Sequence, residues 1–196
     1  FMSIQYDENK RVITLKTTNT AWQMQIDARD NLLHLHYGTL IDEPADHLIR
    51  HLDSAFAPNP GEEAMEDSSY SLDALPQEYP TFGTGDFRSF CLKVRNTDGS
   101  SSTELHYLSH RILKGKYRLP EPMPSVYANE DEAETLEITL ADRYTGLRAV
   151  LLYAVLPERD VITRSVRIEN GGKSVVELQR VYSACLDFMC GDYDLI

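Results

Sequence analysis

Asp53 and Phe56 stand three positions apart in His51-Leu52-Asp53-Ser54-Ala55-Phe56-Ala57-Pro58-Asn59-Pro60, and the two prolines stiffen the exit from that segment. A short carboxylate that accepts hydrogen bonds beside a flat apolar ring matches what vicinal hydroxyls and the C–H face of a sugar require. The same residues suit an ordinary turn capped by an aspartate, and spacing alone leaves both readings open. A second segment, Gln77-Glu78-Tyr79-Pro80-Thr81-Phe82-Gly83-Thr84-Gly85-Asp86-Phe87-Arg88, holds glycines that permit positive φ and close backbone approach. Within it Asp86 and Arg88 are spaced for a structural ion pair rather than for direct catalysis.

Other arrangements of reactive residues lack the pattern their chemistry needs. There is no P-loop, no dinucleotide-binding glycine pattern and no GxSxG elbow, so nucleotide binding and α/β-hydrolase chemistry lose their usual signatures. His47 and His51 have an i, i+4 spacing, yet Leu48 stands where a zinc hydrolase needs a glutamate. His34 and His36, and His106 and His110 if their strand runs unbroken, read as polar residues on outward strand faces. The run Glu130-Asp131-Glu132-Ala133-Glu134 lacks calcium-loop spacing and reads as a solvated rim. Neither a metal site nor a cofactor is expected.

The elements that must position these residues follow a period of two. Trp22-Gln23-Met24-Gln25-Ile26 alternates apolar and polar, then turns at Asp30-Asn31 into Leu33, Leu35 and Tyr37, which predicts a hairpin. Further alternation runs through Phe90, Leu92 and Val94, through Leu136, Ile138 and Leu140, and through Ile162, Arg164, Val166 and Ile168; residues 175–186 read as another strand. Turn residues separate them at Asp98-Gly99, Thr145-Gly146 and Asn170-Gly171-Gly172. Short strands at this spacing, with no long amphipathic helix, predict an all-β sandwich.

Composition narrows the partners. The 196 residues carry 31 acidic against 19 basic side chains, a net charge of −12, which has the wrong sign for a phosphate backbone or an anionic membrane. No nucleic acid and no membrane are expected as partners, and apolar runs such as residues 149–155 are too short to span a bilayer. Cys91, Cys185 and Cys190 form neither a disulfide framework nor a zinc knuckle, and the chain reads as cytoplasmic. Residues 42–86 hold eleven acids against one base, Arg50, so −10 of the net charge falls in one stretch. That stretch also holds Phe56, Tyr70, Tyr79, Phe82 and several prolines, which a purely solvated linker would not use, so it reads as an ordered excursion that docks on another surface. The final residues, Asp192-Tyr193-Asp194-Leu195-Ile196, follow a strand without a polar tail, and the chain reads as cut from a longer protein.

These motifs together carry a resemblance. Leu52-Asp53-Ser54-Ala55-Phe56-Ala57-Pro58-Asn59-Pro60, Gln77-Glu78-Tyr79-Pro80 and Gly83-Thr84-Gly85-Asp86-Phe87-Arg88 resemble the amino-terminal domain of bacterial family 36 α-galactosidases. So do Thr103-Glu104-Leu105, the run from His110 to Lys116, Glu132-Ala133-Glu134-Thr135-Leu136-Glu137-Ile138, Val161-Ile162-Thr163-Arg164-Ser165, Asp187-Phe188 and the closing Asp-Tyr-Asp-Leu-Ile. The resemblance spans nearly the whole chain in order.

The resemblance implies a galactose-mutarotase-like β-supersandwich, residues 1–196 with the acidic excursion at 42–86, preceding a catalytic (β/α)₈ barrel. Such enzymes release terminal α-linked galactose with retention, which needs two carboxylates about 5 Å apart. In the family both lie on the barrel beyond residue 196, so the chain itself is expected to be inactive and to have no catalytic residue of its own. In tetrameric members a loop of this domain reaches a neighbouring protomer's active site. By that resemblance Asp53 hydrogen-bonds galactose hydroxyls there and Phe56 lines the same wall. The implied partners are α-galactoside sugars, the protein's own barrel and neighbouring protomers of a homo-oligomer, a homotetramer. The loop lacks tryptophan, the single one being Trp22, so an aromatic contribution must come from Phe or Tyr. A different reading is an independent galactoside-binding β-sandwich module. A third, sugar epimerisation, needs a paired His and Glu on a concave face, which nothing in the sequence marks.

Overall fold

The computed structural model describes residues 2–49 and 70–186. Ten strands make up almost all of the regular structure: β1 (Ile4–Asp7), β2 (Val12–Lys16), β3 (Thr20–Ile26), β4 (Leu32–Thr39), β5 (Leu92–Asn96), β6 (Leu105–Lys114), β7 (Glu134–Asp142), β8 (Leu147–Leu156), β9 (Val161–Asn170) and β10 (Val176–Val181). They form two four-stranded antiparallel meanders, β1-β2-β3-β4 and β6-β7-β8-β9, and a two-stranded antiparallel sheet of β5 and β10. Helix is confined, among the described residues, to single 3₁₀ turns at Asp46–Leu48 and Pro157–Arg159. The all-β sandwich expected from the alternating segments is the architecture observed.

The two meanders face each other because each turns one side of its pleat inward. Ile13, Leu15, Trp22, Met24 and Ile26 of the first sheet meet Leu136, Ile138, Leu140, Ala149, Leu151, Tyr153 and Val155 of the second in one continuous core. Cys91, Leu92 and Val94 bring the β5 end of the small sheet into the same core. The β3–β4 hairpin turns at Asp30, whose φ is 62°. Asp27 holds that turn by accepting the backbone N–H groups of Arg29 and Asn31, each at 2.8 Å.

Both meanders also bury part of their outer faces. Val12, Leu35 and Ala45 cluster on the outside of the first sheet with Ile41 and Ile49, and Leu33 clusters there with Tyr70, Leu72 and Leu75. The described flanks of the acidic stretch therefore dock on this chain's own first sheet. On the second sheet Ala154 and Leu156 lie beneath Ala133, Tyr117 and Ala128.

Three β-bulges reset which side chains face inward. In β4 the register passes from Met24↔His34 to Gln23↔His36, leaving Leu35 unpaired. As a result Tyr37 lies opposite Trp22, on the same side as His34, and not with Leu33 and Leu35 as simple alternation predicts. In β6 Leu108 is the extra residue, so the strand does not run unbroken and His106 and His110 face opposite sides. A third bulge, at Gln179, interrupts β10.

Candidate functional site

Asp53 and Phe56 lie outside the described residues. The structure does define the two feet from which their segment departs and to which it returns. At the outgoing foot the fully buried Gln23 side chain grips the chain twice: its Nε2 donates to the carbonyl of Glu43 at 3.1 Å, and its Oε1 accepts the N–H of Ala45 at 2.9 Å. Lys10 of the β1–β2 turn and Lys16 of β2 pair with Asp46 (3.2 Å) and Asp42 (3.1 Å) alongside. Ile49 then packs into both outer clusters of that sheet.

The returning foot is Tyr70, fixed by groups of the β3–β4 turn. Its hydroxyl donates to Asp27 Oδ2 and accepts Asn31 Nδ2 at 2.7 Å, while the Arg29 guanidinium stacks 4.3 Å from its ring centre. Burial first, then the Asp27 carboxylate, push the Tyr70 phenol well above its ordinary range, so it stays a neutral donor. The described residues on either side of 50–69, Ile49 and Tyr70, thus both pack against the outer face of a single sheet.

The Gln77–Arg88 segment braces the returning foot. Asp86 accepts a two-pronged interaction from Arg88, Nε to Oδ1 at 3.0 Å and Nη2 to Oδ2 at 2.9 Å, and a further bond from Gln77 Nε2 at 2.8 Å. The same guanidinium caps the carbonyls of Leu72 and Leu75. The pair is structural, as its spacing suggested, and it closes the turn that presents Tyr70 and Leu72 to the sheet. Gly83 in this segment has φ 90°, and a Cβ there would stand 2.7 Å from the Ser102 Cα.

Glu78 forms a centre that sequence reasoning quoted as part of a motif without giving it a role. It is 1% exposed, and three side chains converge on its carboxylate: Tyr153 Oη at 2.6 Å, His34 Nδ1 at 2.9 Å and Trp22 Nε1 at 3.4 Å. His34 thus faces inward, and the outward reading of it fails because the first sheet is buried on both sides. The Tyr153 phenol is held far above its ordinary range by burial, with the Glu78 carboxylate adding to the effect. The paired His and Glu that epimerisation would need is present in kind, but the two side chains bond each other directly inside the core. A sugar must fit between the acid and the base that act on it, and no such gap exists here. The signal that could have found this centre is Glu78 itself, an acid between Gln77 and Tyr79-Pro80 with no basic neighbour in sequence.

The remaining candidates have structural roles. His106 Nδ1 donates to the Arg29 carbonyl at 3.0 Å and its Nε2 lies 3.4 Å from Glu104. His110 Nδ1 accepts the Tyr107 hydroxyl at 2.8 Å. Within the acidic run, Glu134 ties the start of the chain to β7 by accepting the N–H and hydroxyl of Ser3. Among the described residues no three His, Cys, Asp or Glu side chains converge as metal ligands, and no helix is long and apolar enough to cross a membrane.

The profile of the glycosyl hydrolase family 36 N-terminal domain matches residues 30–196. The chain belongs to that family. It is 47% identical over 195 residues to the bifunctional α-galactosidase/sucrose kinase AgaSK of Mediterraneibacter gnavus, covering 100% of this chain and 21% of that protein. It is 40% identical over 197 residues to the α-galactosidase AgaA of Geobacillus stearothermophilus, covering 100% of this chain and 26% of the relative. The solved galactosidase domain of AgaSK superposes with a TM-score of 0.90 at 48% identity, over 94% of this chain and 26% of that one. A structure of an AgaA variant in complex with raffinose superposes with a TM-score of 0.81 at 39% identity, over 88% of this chain and 24% of the other. This family 36 domain therefore spans about a quarter of the length of the proteins it matches. The irregular motifs quoted from the sequence fall within the matched span.

Proposed function

We propose that this chain is the non-catalytic amino-terminal domain of a retaining α-galactosidase that hydrolyses terminal α-galactosides. In this reading it contributes to the assembly of a cytoplasmic homotetramer and lends Asp53 and Phe56 to the sugar site of a neighbouring protomer. The observation that carries the reading is that Ile49 and Tyr70, the described residues that flank the segment containing Asp53 and Phe56 in sequence, both pack on one face of the first sheet. Family membership and the raffinose complex of an AgaA variant support the substrate class.

The anchoring limits where a sugar can be met. Asp53 is four residues from Ile49, so at 3.3–3.6 Å per residue its Cα lies within about 14 Å of that foot, and Phe56 within about 25 Å. In this reading a subsite that includes Asp53 lies near the outer face of the first sheet, and the neighbour that owns the catalytic carboxylates is seated there. Chemically the chain supplies an acceptor for sugar hydroxyls and an apolar wall; bond cleavage needs a carboxylate pair about 5 Å apart on the rest of the enzyme.

Asp53→Ala in the complete enzyme tests this role. Each charge-assisted hydrogen bond to a sugar hydroxyl contributes about 1.5–3 kcal/mol, so kcat/KM should fall at least about tenfold while the tetramer and its melting temperature persist. A lowered melting temperature with unchanged kinetics would make Asp53 a turn cap and remove the sugar role. Sugar binding by the isolated chain at full affinity would favour the independent galactoside-binding module instead.

A further inference from the structure

Cys91 and Cys185 meet at the edge of the core. Cys91, 1% exposed, directly precedes β5, and its carbonyl accepts the backbone N–H of Tyr182 at 2.8 Å, one step past the Leu92↔Val181 pair. Three residues further on, the half-buried Cys185 turns back, packs against the core that contains Cys91, and its thiol hydrogen-bonds the Cys91 thiol. Both are thiols in this structure. We propose that Cys91 and Cys185 are a built-in redox pair that closes to a disulfide and staples the outer strand of the small sheet to the core.

The placement says what the link would do. β10 is the partner of β5 alone, is exposed along most of its length, and carries the bulge at Gln179. Below the bulge its attachment rests on a few backbone bonds, the Tyr182 N–H bond and the Tyr79 hydroxyl donating to the Tyr182 carbonyl at 3.0 Å. A disulfide there closes a ring of about 95 residues, the long-loop case in which a cross-link restricts the open state most. The Cys185 thiol already lies within hydrogen-bonding reach of the Cys91 thiol, so the two sulfurs start close together.

Burial divides the roles. The hydrogen bond to Cys185, then desolvation, hold the Cys91 thiol well above the ordinary thiol range, with Arg164 opposing and Glu78 adding. Cys185, half-buried where Cys91 is fully buried, is the sulfur an oxidant reaches first. With a peroxide, the Cys185 thiolate attacks one oxygen, the O–O bond breaks, and a sulfenic acid and water form. The Cys91 sulfur then attacks the sulfenic sulfur, its proton leaves with the displaced hydroxide as a second water, and the S–S bond forms. Two thiols lose two electrons and two protons, and one peroxide becomes two waters.

The test treats the intact protein with stoichiometric hydrogen peroxide, alkylates it, digests it without reductant and maps the peptides. The expected product is a peptide joining Cys91 to Cys185, about 2 Da below the sum of the two thiol peptides and split by dithiothreitol. Amide exchange across Val176–Val181 should slow at least about threefold on oxidation, in the wild type and in Cys190→Ser but not in Cys185→Ser. Cys185 is half-buried, so its serine variant keeps the fold. Sulfinic acid at Cys185 with Cys91 still reduced, a preferred link to Cys190, or a linked product with unchanged exchange in β10 would overturn the proposal.

Discussion

Replacing Glu78 is the sharpest probe of how the sandwich is held together. Its carboxylate is buried and accepts from Tyr153 at 2.6 Å, His34 at 2.9 Å and Trp22 at 3.4 Å, and Tyr153 and Trp22 are 0% and 5% exposed. Glu78→Ala leaves the Tyr153 hydroxyl and the Trp22 N–H without an acceptor and without water. Each orphaned group costs about 1–3 kcal/mol, so together with the lost packing the variant should lose about 3–5 kcal/mol. That is a large part of the 5–15 kcal/mol by which a domain is usually stable. Tyr153→Phe removes one donor and leaves two on the carboxylate, so it should cost only about 1–1.5 kcal/mol. In Glu78→Ala the tyrosine hydroxyl is already unpaired, and adding Tyr153→Phe should recover about 1–2 kcal/mol relative to additivity. Equilibrium urea unfolding followed by Trp22 fluorescence measures all four corners of the cycle, since Trp22 is the chain's single tryptophan and packs against both His34 and Tyr153. A loss below about 1 kcal/mol for Glu78→Ala, or a coupling under about 0.5 kcal/mol, would refute the network as a determinant of stability.

Gly83→Ala should destabilise by more than about 2 kcal/mol, because its Cβ meets the Ser102 backbone at 2.7 Å on top of a φ of 90°; Gly99→Ala, at φ 86° in open space, should cost about 1 kcal/mol. Urea midpoints of the two variants decide it, and equal losses would contradict the crowding argument. His106 is held above its ordinary pKa of 6.5, first by its hydrogen bond to Glu104, so the folded state binds the extra proton. Its stabilisation should be fully present below about pH 6.5 and fade as pH rises through the raised folded value. Comparing urea midpoints of wild type and Glu104→Gln from pH 5 to 9 should show that slope weakened in the variant.

The strands that could be read from the sequence are those whose second face is polar. β3, β7 and β9 alternate because apolar residues meet the core while the other face carries residues such as Gln23, Gln25, Thr135, Glu137, Thr163 and Arg167, even where, as at Gln23, Thr135 and Glu137, that face is buried too. β2 and β8 were hidden because nearly every residue in them is buried, so Val-Ile-Thr-Leu-Lys and the apolar run at 149–155 show no period of two. β1 is four residues long, too short to declare a pattern. The bulges at Leu35 and Leu108 defeated assignments of face, since one inserted residue reverses every side chain beyond it. Asp86 with Arg88 was legible because both partners sit two residues apart. The Glu78 centre was not, because its partners come from residues 22, 34 and 153, and only the packed sheets bring them together.

The claim that Asp53 serves a neighbour's sugar site is tested most directly by subunit mixing in the complete enzyme. One variant carries Asp53→Ala with its catalytic carboxylates intact; the other keeps Asp53 and has its nucleophile replaced. Each variant assembled alone should be nearly inactive. If Asp53 acts across the interface, unfolding and co-assembling the two in equal amounts should create sites with an intact carboxylate pair facing an intact Asp53, and activity should recover to about a quarter of wild type. Mixed assemblies no more active than the average of the two parents would contradict it.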